Sequence, residues 1–193
     1  MVVSSTNIHT KNDQEVININ KNSQSRLLGF KQNGQIQIYQ SSYRCSYTSI
    51  IKEGLRNAAL GRKVLLVQLM KGGVHQGVSK SQNLCGNLTW IRPSKSFDEY
   101  NLTDIVNNKQ LVLSIQDSIL ELWCLCKKEL VSGNYDQIIL DEIFLAIEKK
   151  IINKDDLIST LENRFMPGDV ILTGTAIPKN FLLMADQVTE LRS

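Results

Sequence analysis

A chain of 193 residues, 42% of them hydrophobic, is long enough for one domain with a sizeable core, and its net charge of +3 is too small to mark a nucleic-acid-binding surface. Its Lys and Arg residues are spread among Asp and Glu, the pattern of a solvated mixed-charge surface with no nucleic-acid partner. The four cysteines, Cys45, Cys85, Cys124 and Cys126, make no C-x-x-C pair and His9 and His75 are the only histidines, so neither a zinc site nor a disulfide framework is expected.

Residues 1–30 read as a flexible polar arm, rich in Asn, Ser, Lys and Gln and too poor in apolar side chains to fold alone. The arm lacks the apolar stretch of a secretory signal, and no run along the chain is long enough to span a bilayer, so no membrane partner and a cytoplasmic location are expected. Residues 31–193 read as a single domain. Its first predicted strand is QIQIY at 35–39, where polar and apolar residues alternate, followed by a helix over 47–60 that stops at Gly61. KVLLVQL at 63–69 is almost wholly apolar, as befits a strand covered on both faces, and Gly72, Gly73 and Gly77 then mark a loop. LTWI at 88–91 suits a short strand before Pro93. A long helix is predicted over 112–131, with Leu113, Ile119, Leu120, Trp123 and Leu130 on its apolar side, Cys124 and Cys126 as small core residues, and Gly133 as its stop. YDQIILD at 135–141 and DVILT at 169–173 are further buried strands, with helices predicted over 142–152 and 155–164 between them, the second capped by Asn153 or Asp155. A short helix near 178–184 and a last strand at 187–191 complete the chain.

Strands that alternate with helices in this way build an α/β fold: an open, mostly parallel sheet with helices on both faces. Ligands in such sheets bind beyond the carboxyl ends of the strands, so the ends after Tyr39, Leu69 and Thr173 and the pair Asp141–Glu142 are where chemistry is expected. Carboxylates that close a buried strand can hold Mg²⁺ and orient a ligand. Equally, Asp141 could cap the following helix, with Glu142 in its first turn, where the helix dipole favours it.

Five segments, IQIY at 36–39, VLLVQLMKG at 64–72, SGNYDQIILDEI at 132–143, VILTGTAIP at 170–178 and ADQVTELR at 185–192, occur in an order that resembles the P-loop type of ATP:corrinoid adenosyltransferase. The resemblance implies a P-loop NTPase-like three-layer sandwich. It also implies sites for ATP, Mg²⁺ and a corrinoid, whose reduced cobalt attacks the 5′ carbon of ATP and expels triphosphate. On this resemblance Asp141 and Glu142 are the candidate catalytic and metal-holding residues, and Lys71 matches the Lys of a Lys-Gly step after the second strand. Thr173 belongs to the matching Leu-Thr-Gly segment, whose next residue, Thr175, stands where an arginine is usual. The resemblance also implies a dimer, either of this chain or with an intact family member.

The phosphate loop departs from that pattern. In a gap-free register Ser41, Tyr43 and Cys45 stand at the three glycine positions, Ser46 at the P-loop lysine and Tyr47 at the first hydroxyl. Glycines let backbone N–H groups approach phosphate, the lysine neutralises its charge and the hydroxyl binds Mg²⁺. With Tyr43 bulky and Ser46 uncharged, the usual triphosphate cradle is not expected. Arg44, at a more upstream lysine position, and the Thr48 hydroxyl are the candidate phosphate contacts that remain, beside Ser46. The chain also ends at Ser193, without a further segment that usually helps close the site. The expectation is a corrinoid adenosyltransferase-like protein that lacks ordinary ATP-dependent transfer and acts in binding or regulation. The alternative is an active enzyme of cobalamin metabolism with a rearranged loop.

Overall fold

Two strands, β3 (Val64–Gln68) and β6 (Gln137–Asp141), are buried at every residue, the burial that unbroken apolar runs require in the middle of a parallel sheet. The computed structural model describes residues 4–7, 34–43, 47–72, 77–97, 107–165 and 167–191. Around β3 and β6 lie β1 (Ser4–Asn7), β2 (Ile36–Ser41), β4 (Gln82–Leu84), β5 (Leu88–Ile91), β7 (Asp169–Gly174) and β8 (Gln187–Leu191). They form one sheet in the order β1-β8-β2-β7-β6-β3-β5-β4, parallel throughout except for the edge strands β1 and β4.

The helices are α1 (Thr48–Ala59), α2 (Lys109–Ser132), α3 (Ile143–Glu148), α4 (Lys154–Glu162) and α5 (Lys179–Met184). From β2 the chain crosses to β3 on one side of β7 and β6, then returns through β6 and β7 to β8. Right-handed crossovers that reverse direction place their helices on opposite faces. Accordingly α1 lies on one face, where Ile50 and Ala58 pack with Val64, Leu66, Ile139 and Ile171. On the other, Ile119, Leu122, Phe144, Leu157 and Phe181 pack with Leu65, Val67, Leu140 and Leu172. The predicted α/β sandwich with helices on both faces is the observed fold. Gly54 lets α1 sit close to the sheet, since a Cβ there would stand 2.8 Å from Ile139 Cδ1.

At the amino ends of the strands, three aspartates tie neighbouring strands together. The Asp136 carboxylate accepts the Lys63 N–H at 2.7 Å while its own N–H donates to the Lys63 carbonyl. Asp186 does the same with Ile36, whose N–H reaches its carboxylate at 2.7 Å. Asp169 accepts the Gln35 N–H and a 2.6 Å bond from Arg62. Each pairing satisfies a backbone group that the ladder would otherwise leave open at its end, and so sets the strand register.

Several expectations need correction. Ser4–Asn7, inside the segment expected to be mobile, pairs with β8; residues 8–30 lie outside the described residues. The predicted helix over 142–152 is only six residues long, because the chain turns away at Lys150, which takes a left-handed φ of 57°. Leu113 and Leu120 are not on the buried side of α2 but 44% and 39% exposed, and Cys124 is exposed while Cys126 is buried. The stripe that packs is Ile115, Ile119, Leu122, Trp123, Cys126 and Leu130, roughly opposite to those positions. Strand β4 and the 3₁₀ turn Val78–Lys80 were not foreseen, their short polar sequences carrying no apolar period.

Candidate functional site

The carboxyl ends of β3, β6 and β7 converge on one buried carboxylate. Asp141, the last residue of β6, is 1% exposed and accepts hydrogen bonds from Gln68 Nε2 at 2.7 Å and Lys71 Nζ at 2.9 Å on Oδ2. Its Oδ1 accepts from the Thr173 hydroxyl at 2.9 Å, and that hydroxyl in turn accepts the Glu142 N–H at 2.7 Å. Parallel pairing makes this convergence unavoidable: Gln68 is opposite Asp141 in the ladder, and Leu172, beside Thr173, is opposite Leu140. A carboxylate out of water needs such partners for both oxygens.

The network continues outward from Gln68. Its Oε1 accepts from Trp90 Nε1 at 3.1 Å and Arg92 Nε at 2.8 Å, and the Arg92 guanidinium stacks 4.6 Å above the Trp90 ring. A second Arg92 nitrogen donates to the Gly72 carbonyl at 3.2 Å. Burial lowers the Arg92 pKa, with the charge of Asp141 working the other way. Sequence reading did not single out Gln68, Trp90 or Arg92; the only available signal was their place at the ends of two predicted strands.

Glu142 is 1% exposed and sits at the N-cap of α3 with a left-handed φ of 60°, without a side-chain cap. The alternative in which Asp141 caps the helix therefore does not hold: Asp141 ends the strand and Glu142 takes the turn. The close fit continues at Gly174, where a Cβ would stand 2.5 Å from Phe144 Cβ of α3. That glycine is required by the approach of helix to strand, whatever its use to a ligand.

Of the candidate residues, Asp141, Glu142, Lys71 and Thr173 are brought together. Arg44 and Ser46, like His75, lie outside the described residues. Thr48 opens α1 and is exposed. Tyr43, expected to obstruct the loop, is 64% exposed, and its N–H donates to the Ser41 hydroxyl. The bulk at this edge comes from Tyr47, which is 1% exposed at the start of α1. Its hydroxyl is buried and finds no hydrogen-bond partner among the described residues. Burial pushes its pKa up to about 12, and the carboxylates of Asp141 and Glu142 add to the rise. The backbone of Ser41 and Gly174 opposes that rise.

The arrangement does not suit Mg²⁺. Lys71 already stands beside Asp141 as its counter-cation, and both carboxylate oxygens accept protein donors. Among the described residues no three His, Cys, Asp or Glu side chains are grouped to hold a metal ion. No described helix is long and apolar enough to cross a membrane. A cavity of about 390 Å³ lies instead at the opposite end of the sheet, lined by Lys63, Asn87, Thr89, Glu129 and Tyr135 among others.

Comparison with known proteins gives a match over residues 32–193 to the family described as ATP:corrinoid adenosyltransferase BtuR/CobO/CobP. Proteins named corrinoid adenosyltransferase in Escherichia coli strains K12 and O6:H1 are each 24% identical to this chain over 159 residues, 82% of it and 76% of theirs. An uncharacterized protein of Nostoc sp. is 29% identical over 70 residues, 36% of this chain and 18% of its own.

Proposed function

The chain belongs to the ATP:corrinoid adenosyltransferase family, and from that premise we propose that it is a diverged member that has lost ordinary Mg-ATP-dependent adenosyl transfer and acts as a binding or regulatory protein. The observation that carries this reading is the closed state of the carboxyl edge. Asp141, the residue suited to a metal, is neutralised by Lys71 at 2.9 Å and held by Gln68 and Thr173. On this reading the substitutions at 41, 43, 45, 46 and 47 make the phosphate loop degenerate. A corrinoid is the ligand this reading keeps.

Within this reading each residue has a task that needs no metal. Lys71 fixes Asp141 by an ion pair, Gln68 links it to Arg92 and Trp90, and Thr173 positions the start of α3 through the Glu142 N–H. The stacked Arg92–Trp90 pair offers a flat, cationic surface at the edge of the sheet.

One observation favours the alternative, an active enzyme of cobalamin metabolism with a rearranged loop: Lys71 and Arg92 put two cations at this edge. On that reading Arg44 and Thr48 would complete the triphosphate contacts. The deciding experiment titrates the purified protein with Mg-ATP and with cobalamin, then follows cobalt–carbon bond formation after chemical reduction of the corrinoid. The expected result is corrinoid binding without transfer. Transfer at a rate proportional to protein concentration overturns the proposal in favour of the enzyme.

A further inference from the structure

We propose that the outer face of α2 is an interface between two copies of this chain, packed antiparallel about a twofold axis level with Leu122. The inference goes beyond the proposed function and holds whichever ligand the carboxyl edge takes.

A line of apolar side chains carries it. Leu113, Leu120 and Val131 are exposed, and so is Cys124. With a turn of about 100° and a rise of about 1.5 Å per residue, these side chains lie within about 40° of one another along about 27 Å of helix. Their spacing is that of a heptad seam, with Leu113 and Leu120 at d positions and Cys124 and Val131 at a positions. The helix is seated on the sheet by the opposite stripe, from Ile115 to Leu130, so the chain's own packing does not call for apolar side chains here. Exposed leucines scattered singly are ordinary, whereas a continuous apolar line marks a place where another surface binds.

Charge identifies that surface. The remaining seam positions are Asp117 and Lys127, with Lys128 beside the latter, and Asp117 and Lys128 are exposed. Lys127 is held by Asp156 at 3.1 Å, which leaves Lys128 as the cation without an ion pair among the described residues. One turn along the helix, the only charged neighbour of Asp117 is Glu121, a like charge that disfavours it. An antiparallel second copy sets Leu113 against the partner's Val131 and Leu120 against the partner's Cys124. It also brings Asp117 level with the partner's Lys127 and the partner's Lys128. A parallel copy would set Asp117 level with the partner's Asp117 instead. The seam is thus complementary to itself in one direction only, as an isologous twofold interface requires. A polar residue within an apolar seam fixes the register at some cost in stability, the part Asp117 takes here. One helix pair is a small contact, so the dimer is expected to dissociate on dilution.

The test follows the full chain by sedimentation equilibrium over a range of concentrations. The parent is expected to be a dimer at the upper end and a monomer at the lower. Leu120→Glu should weaken the dimer at least about tenfold, since it carries an unpaired charge into the seam. Asp117→Lys and Lys128→Asp should each weaken it at least about fivefold by facing like charges, and the double variant should return to within about twofold of the parent. Each of these positions is exposed, so the variants keep the fold. A short bismaleimide should join two parent chains, and Cys124→Ser should abolish the product, because the partner's Cys124 lies only about 6 Å away along the helix axis. A parent that stays monomeric overturns the proposal, and Cys124 shielded from maleimide in that monomer would give the face to a segment of the same chain. A dimer indifferent to Leu120→Glu, or a double charge variant no tighter than either single one, places the interface elsewhere and overturns it as well.

Discussion

The two ends of the sheet use the same residue type for opposite purposes. At the amino end, Asp136, Asp169 and Asp186 each accept a backbone N–H from the start of a neighbouring strand, and so hold β2, β3, β6, β7 and β8 in register. At the carboxyl end, the Asp141 carboxylate accepts from side-chain donors, Gln68, Lys71 and Thr173, and is buried. The contrast explains the character of the family likeness. The Tyr-Asp and Ala-Asp steps that help carry it, at Asp136 and Asp186, are register clamps, a task independent of any ligand. The carboxyl end also carries part of the likeness, through Lys71, Asp141, Glu142 and Thr173.

This comparison can be broken by mutation, beginning where the effect should be greatest. Asp141→Leu strands Lys71, Gln68 and Thr173 around a buried apolar group, and should lower unfolding free energy by about 3–5 kcal/mol in urea titration. Lys71→Met leaves Asp141 with two neutral donors; because Lys71 is one-quarter exposed, the cost should be smaller, about 1–3 kcal/mol. Arg62→Met removes the partly exposed Arg62–Asp169 pair at the amino end and should cost about 0–1 kcal/mol, less still in high salt. If the Arg62 variant proved as costly as the Asp141 variant, the distinction between an exposed clamp and a buried centre would be lost.

The smallest effect at neutral pH concerns Tyr47. Its folded pKa of about 12 lies above the ordinary 10.0, so the folded state holds the proton more firmly than the unfolded chain. The associated stability is fully present below pH 10 and is lost as pH climbs toward 12. The stability difference between the parent and Tyr47→Phe should therefore be flat up to pH 10 and shift against the parent above it. Chemical denaturation at stepped alkaline pH measures this, and a difference that stays flat through that range would contradict the burial of the phenol.

Much of the fold was legible in the chain because its cause is local. Apolar runs such as VLLVQ and QIILD can only be central strands, and Gly61 and Gly133, both at positive φ, stop the helices that precede them. The gathering of Asp141, Lys71 and Thr173 was also foreseeable, since all three close or follow buried strands. What stayed hidden depends on which face a residue presents. Leu113 and Leu120 fit a helical period but turn outward, since the helix is seated by Trp123, whose indole N–H donates to Asp156 of α4 at 2.7 Å. The Gln68–Arg92–Trp90 relay joins residues 22 and 24 apart in sequence through a strand pairing that no local pattern encodes.

From the sequence alone came the strand and helix alternation, the family likeness and the substitution of the phosphate loop, because hydrophobic period, glycine placement and residue identity are properties of the chain itself. Only the tertiary structure decided where particular side chains go. It turned Tyr43 outward and Tyr47 inward, and it placed Lys71 on Asp141. The physical reason is that burial and ion pairing are set by what neighbouring strands bring together, and a sequence read residue by residue does not contain that distance.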